Sequence, residues 1–191
     1  MANNKKYTIK TKEMIIIPCN DEDIWNCDWI ITVIPDKSEK PFDIGKATFA
    51  GEKVLGTIPV KVELEEQYRN KKYGTEAFKL LVDFAFGFKN IYEVCAITED
   101  SNDKCRYALE KAGFVHRSTD KHISTFSIKK PKTSWLGFYM YIGVLCGLAL
   151  GIVLSSMWVG LVIGLVAGLA MGFALDSASN KEREKVTGTK E

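Results

Sequence analysis

The sequence predicts an α+β fold, a mixed α/β sheet crossed by helices, followed by a two-helix membrane hairpin. Three observations carry this. Short runs of β-branched and apolar residues bounded by turn residues come first, and helical periodicity and further short strands follow. Residues 133–175 contain no Asp, Glu, Lys or Arg, whereas about a quarter of an average chain is charged. Between the two regions, QYRNKKYGTEAFKLL (67–81) sets two lysines beside a glycine at the start of a helix, where the dipole already makes a positive end.

At 191 residues the chain has room for one domain and an addition. The expected division is a catalytic-type domain over 1–132, a hairpin over 133–176 with spans near 135–154 and 158–175, and a polar cytoplasmic tail over 177–191.

The elements follow in order. YTIKTKEMIIIP is apolar and β-branched and stops at Pro18, which predicts one strand. Asn20 predicts a cap for a stub of helix over DEDIW. DWIITVIP is a second strand ended by the polar turn DKSEK. PFDIGKATF and KVLGTIPVKVEL predict a hairpin joined at Ala50, Gly51 and Glu52, and Pro59 marks an edge or a bulge in its later strand. TEAFKLLVDFAFGF carries apolar residues at Phe78, Leu81, Val82 and Ala85, the spacing of a helix face, with Gly87 placed to end it. NIYEVCAIT is a nearly continuous apolar strand, as in a buried sheet. SNDKCRYALEKAGF reads as a capped helix closed by Gly113, and VHRST with HISTFSIKK forms a last hairpin.

Composition excludes several classes. Five cysteines lack any Cys-x-x-Cys pairing, and only His116 and His122 accompany them, so no metal is expected and the thiols read as small apolar filler. The formal charge is +2, and no basic tract interleaved with aromatics points to nucleic acid. The N-terminus, MANNKKYTIKTK, lacks the apolar core of a signal peptide.

RNKKYGTEA ahead of an amphipathic helix and a buried strand, and then Asn102-x-x-Cys105 with LEKAGF, together resemble the GNAT acetyltransferases. The likeness is closest to the branch related to ribosomal-protein N-terminal acetyltransferases, whose pattern runs approximately R-G-K-G-Y-A-T-E-A and then N-x-x-S with E-K-x-G-F. IIIPCNDEDI is similar to that branch's first strand and acidic turn. The resemblance spans residues 7–130 and implies an acyl-CoA N-acyltransferase fold with acetyl-CoA as co-substrate and an amine as acceptor.

The resemblance assigns the turn Arg69, Asn70, Lys71, Lys72, Tyr73, Gly74 and Thr75 to the pyrophosphate of acetyl-CoA, and Asn102 to placing the pantetheine arm and the helix after it. The physics of the turn agrees, because unpaired N–H groups and the dipole at a helix start favour an anion. Departures from the family pattern are specific. Lys72 replaces a glycine, Cys105 replaces a small residue and is read as filler, and Leu109 stands where many relatives place a Tyr that protonates the departing thiolate. Tyr107 lies two residues earlier on another side of the helix and is expected to pack. Glu63 is the candidate base by position, with Glu65 as its same-face neighbour. The segment between the first two strands is too short for the family's two wall helices, so the acceptor site is expected to be open.

In the apolar region, Gly143, Gly147 and Gly151 repeat every fourth residue, as do Gly160, Gly164, Gly168 and Gly172. Such rows allow close backbone approach, between the spans or in a homo-oligomer. Lys129, Lys130 and Lys132 precede the first span and Lys181, Arg183 and Lys185 follow the second, which predicts a two-span protein of the cell membrane with both ends cytoplasmic. The leading expectation is therefore a membrane-anchored acetyltransferase acting by direct attack in a ternary complex. Its rivals are an acyl-CoA-binding sensor without turnover and a membrane interaction module.

Overall fold

The computed structural model describes residues 6–35, 40–49, 56–132, 134, 136–153 and 155–187. The chain divides into two compact units, Met1–Lys130 and Pro131–Glu191.

The first unit begins with β1 (Ile9–Lys10), β2 (Met14–Pro18), β3 (Asp28–Val33) and β4 (Phe42–Thr48). It continues through β5 (Thr57–Pro59), β6 (Lys61–Leu64), α1 (Tyr73–Phe86), β7 (Glu93–Glu99), α2 (Asp103–Lys111), β8 (Val115–Asp120) and β9 (Ile123–Lys129). One sheet has the order β1-β2-β3-β4-β6 and is antiparallel throughout; the other has the order β5-β7-β9-β8, with β5 and β7 parallel. The mixed α+β class expected from the sequence is the one observed.

Two expectations are corrected. The first strand is not continuous: Thr11 Oγ1 accepts from Met14 N–H at 3.0 Å, and Thr11 N–H donates to Met14 C=O at 2.8 Å, folding β1 back onto β2. No helix forms over DEDIW. Asn20 Oδ1 instead accepts from Glu22 N–H at 2.9 Å, an Asx turn, so its side chain caps a turn and starts no helix. That segment works as a plug. Trp25 packs edge-on against Phe49 and Phe88 at 5.2 and 4.9 Å, and Ile24 C=O accepts from the indole of buried Trp29 at 2.8 Å. The turn over 36–39 and the joint at Ala50, Gly51 and Glu52 lie outside the described residues.

The periodicity of α1 does what it predicts, burying Ala77, Phe78, Leu81, Val82 and Ala85 in one core with Met14, Ile16, Trp29, Ile31, Val94 and Phe126. Each large side chain buried there contributes about 1.5–3 kcal/mol. Gly87 forms the C-cap, and the Lys130 ammonium donates to the carbonyl of Phe86, where a cation complements the dipole. Gly113, at φ 96°, closes the turn after α2 as a left-handed residue.

The opposite face of the five-stranded sheet is only half covered. Strand register places Ile17, Ile30, Lys46 and Glu63 in one row across it, beside Ile15, Thr32 and Asp43. Ile30 is 38% exposed.

The second unit contains α3 (Leu136–Val153) and α4 (Met157–Thr187). Their glycine rows face one another. A Cβ on Gly143 would fall 2.3 Å from Gly164 O, and one on Gly147 would fall 2.4 Å from Gly160 O. The two backbones are in contact there, and larger side chains point outward, with Trp158 81% and Phe173 71% exposed. Helix α4 outruns the expected span because DSASNKEREKVT has no Gly or Pro and is rich in helix formers. Among the described residues one helix, Met157–Lys181, is long and apolar enough to cross a membrane; Leu136–Ile152 is apolar but shorter.

Candidate active site and cofactor groove

The site is made by one strand that changes sheets. β5 pairs with β7, and Val60 N–H donates to Cys95 C=O at 2.7 Å as the last bond between the two strands. Pro59 and Val60 then turn the chain, and β6 pairs with β4 instead. The Pro59 signal in the sequence is this departure. Beyond it, β6 and the end of β7 separate, and a groove of about 1510 Å³ opens between them, lined also by the first turns of α1 and α2.

One wall of the groove is an open backbone edge. Lys130 N–H donates to Tyr92 C=O at 2.7 Å, which sets the phase of the β7–β9 ladder: even-numbered residues of β7 bond to β9. The backbone groups of Ile97 and the N–H of Glu99 therefore point the other way, into the groove. Their partner would have been the continuation of β5.

The turn expected to hold a pyrophosphate opens onto the groove. Asn70 and Lys72 both adopt left-handed backbone, at φ 63° and 68°. That conformation costs a non-glycine residue roughly 1–2 kcal/mol, which accounts for the family's glycine where Lys72 stands. Lys72 is the N-cap of α1 with no capping side chain, and the first intrahelical bond runs from Glu76 N–H to Lys72 C=O at 3.1 Å. The N–H groups of Tyr73, Gly74 and Thr75 precede that bond and stand at the electropositive end of the helix, without acceptors in its own ladder.

Of the side chains the sequence assigns here, Arg69, Asn70, Lys72, Gly74, Thr75, Asn102 and Glu63 line the groove. Lys71 and Tyr73 do not. Lys71 Nζ sits 5.7 Å above the Tyr68 ring, and the Tyr73 side chain packs against the core. Arg69 Nε donates to Leu64 C=O at 2.9 Å, pinning the turn to the end of β6. Asn102 Oδ1 accepts from Cys105 N–H at 3.1 Å and is thus the N-cap of α2. Lys104 and the open edge at Ile97 are groove features that the sequence alone did not single out; an edge of this kind has no residue signature except the proline that causes it.

The chemistry-bearing positions need revision. Glu63 Oε1 lies 2.6 Å from Lys61 Nζ, and its other oxygen is 4.0 Å from Lys46 Nζ. The hydrogen bond from Lys61 and the charge of both lysines hold its carboxyl below the usual carboxylate range. That works against the base role, because a base for this task gains from a raised pKa. Leu109 is fully buried and packed as core, yet it also forms part of the groove wall. Tyr107 does not pack as expected: it is 61% exposed, lines the groove, and carries Lys111 Nζ 5.4 Å over its ring. Cys105 is half-buried against the core, in keeping with filler. Among the described residues no cluster of His, Cys, Asp and Glu could hold a metal ion.

Comparison with known proteins agrees with this geometry. No curated protein matches the chain. Among solved structures, an acetyltransferase of the GNAT family from Bacillus anthracis is similar with a TM-score of 0.53 and 14% identity, over 64% of this chain and 98% of that one. A proposed ribosomal-protein-serine acetyltransferase from Vibrio cholerae is similar with a TM-score of 0.50 and 11% identity, over 66% and 99%. The N-acetyltransferase PseH from Campylobacter jejuni, in complex with acetyl coenzyme A, is less similar, with a TM-score of 0.43 and 15% identity over 55% and 69%. At these identities the likeness is one of fold, and no branch is singled out. The family model described as the acetyltransferase (GNAT) domain matches residues 4–115, well over half of the chain, and the protein belongs to that family.

Proposed function

We propose that the protein is a membrane-anchored acetyltransferase that passes acetyl from acetyl-CoA to an amine by direct attack in a ternary complex. The observation that carries this is the open edge of β7 leading, across one groove, to the uncapped start of α1. An extended pantetheine arm has amides that would pair with Ile97 as a missing strand does, and its pyrophosphate would meet the N–H groups of Gly74 and Thr75 with Lys72 beside them. The backbone along this edge would orient the thioester for the amine. Arg69 and Asn70 shape the turn, Asn102 holds α2 in place, and Lys71 adds charge from its position over Tyr68.

Anchoring is supported by the charge-free run and by α4, with α3 at 18 residues just within the length range that spans a bilayer. Basic residues on both flanks favour cytoplasmic ends at the cell membrane, and the outward apolar side chains of the pair favour contact with lipid. The glycine rows are occupied between α3 and α4, so association of two copies would use the outer faces.

A second reading, acyl-CoA binding without turnover, is favoured by buried Leu109 and ion-paired Glu63. One experiment separates the two. Acetyl-CoA is titrated calorimetrically into the full-length chain, and CoA release is then followed with a panel of amines. Saturable binding with amine-dependent release supports transfer; binding with no release from any amine supports the second reading; no binding by the folded chain sinks both.

A further inference from the structure

Outside the groove, five polar side chains from three elements and the turn after β7 join into one hydrogen-bonded chain. His116 Nε2 lies 2.9 Å from Thr119 Oγ1, both on β8. Thr119 Oγ1 lies 3.0 Å from Ser124 Oγ on β9, and Ser124 Oγ donates to Asp100 Oδ1 at 2.9 Å. Arg106 of α2 donates from one guanidinium nitrogen to the backbone carbonyl of Asp100 at 3.1 Å and to its Oδ1 at 3.3 Å, and that nitrogen is also 3.5 Å from Asp103 Oδ1. Ser124 is fully buried. Asp100 is further tied by its N–H to His122 C=O at 2.8 Å.

The direction of this chain is fixed. A carboxylate only accepts, so Ser124 spends its single proton on Asp100; Thr119 must then donate to Ser124, and His116 must donate through Nε2 to Thr119. Each hydroxyl gives once and receives once, with no choice left. The chain ends at Asp100, two residues before Asn102, at the corner where β7 hands over to the helix that presents Asn102, Lys104 and Tyr107 to the groove. Unlike α1, whose buried face is continuous, α2 buries only Leu109 along its nine residues, so packing alone holds its first turn weakly.

We infer that Asp100, held by Ser124 and Arg106, is a positioning residue that sets the first turn of α2 against the open edge of β7, and that His116 is kept as the Nε2–H form by the chain behind it. The positioning role rests on the proposed acetyl-CoA groove; the proton arrangement does not.

The test uses the full-length chain with three variants, Ser124→Ala, Thr119→Val and Thr119→Ser. Nitrogen NMR of His116 in the neutral ring is expected to show the proton on Nε2 in the parent and in Thr119→Ser, with that preference lost in Thr119→Val, which keeps the shape and removes the hydroxyl. Amide exchange at Cys105, whose N–H is held by Asn102, is expected to speed up about tenfold in Ser124→Ala at unchanged exchange in α1, and the affinity for acetyl-CoA to fall by a similar factor, the size of one hydrogen bond to a charged group. A neutral His116 with its proton on Nδ1 overturns the chain. Unchanged exchange at Cys105 overturns the positioning role whether or not acetyl-CoA binds. Faster exchange in a chain whose parent binds no acetyl-CoA leaves the positioning of α2 standing and removes the proposed function instead.

Discussion

Lys61 and Glu63 stand two residues apart on the same face of β6, their Nζ and Oε1 separated by 2.6 Å, so this groove-lining carboxylate is already paired with a lysine of its own strand. Its folded pKa is depressed, so whatever stability the pair gives is present above the ordinary carboxylate range and is lost as pH falls through the folded value. Carbon NMR should show Glu63 titrating below the ordinary glutamate value and moving up in Lys61→Ala. Glu63→Gln should keep amine-dependent CoA release within about threefold of the parent. A loss of a hundredfold or more would restore Glu63 as the base.

Lys72 and Lys71 are neighbours with different fates. Lys72→Glu should abolish acetyl-CoA binding in calorimetry, whereas Lys71→Glu, whose side chain lies over Tyr68, should weaken it only severalfold. Lys72→Gly should raise thermal stability by about 1 kcal/mol, because glycine adopts φ 68° without steric cost. A destabilised Lys72→Gly variant would show that the left-handed turn carries no strain.

Leu109→Tyr tests whether restoring the family's tyrosine restores an acid. The position is fully buried, so the larger side chain should cost about 1–3 kcal/mol in chemical denaturation and add nothing to the rate of CoA release. A rate gain of tenfold or more would mean that this part of the groove wall yields enough to let the hydroxyl reach the departing thiolate.

In the second unit, Gly164→Ile places a branched side chain where a Cβ alone would come within 2.1 Å of Gly143 O. The helices must separate, and a spectroscopic distance between labels on α3 and α4 in lipid bilayers should lengthen by several ångströms. Trp158→Ala, on the outer face, should leave that distance unchanged.

How much of this was legible in the sequence depended on the range of the forces involved. The faces of α1, the buried strand at Val94 and Ala96, and the Asn102 and Gly113 signals around α2 are set by residues close in sequence, and they read directly. The turn before α1 read well as a backbone feature but less well by side chain, because the aromatic ring of Tyr68 draws Lys71 away. Thr11 and Asn20 misled for one reason: a short polar side chain can bond to its own turn as easily as it can join a strand or cap a helix. The strand that switches sheets at Val60 and the chain from His116 to Asp100 depend on partners tens of residues apart, and only the three-dimensional register brings them together.

The bare row of Ile17, Ile30, Lys46 and Glu63 has a consequence for selectivity. A walled chamber chooses its substrate by fit, and a ledge takes what is delivered to it. On the proposed reading, the apolar pair at the other end of the chain supplies that delivery: tethering raises the effective concentration of amines at one surface and leaves others dilute. Moved onto a soluble carrier, the same groove should acetylate a wider set of amines, each more slowly, because its discrimination would reside in its address.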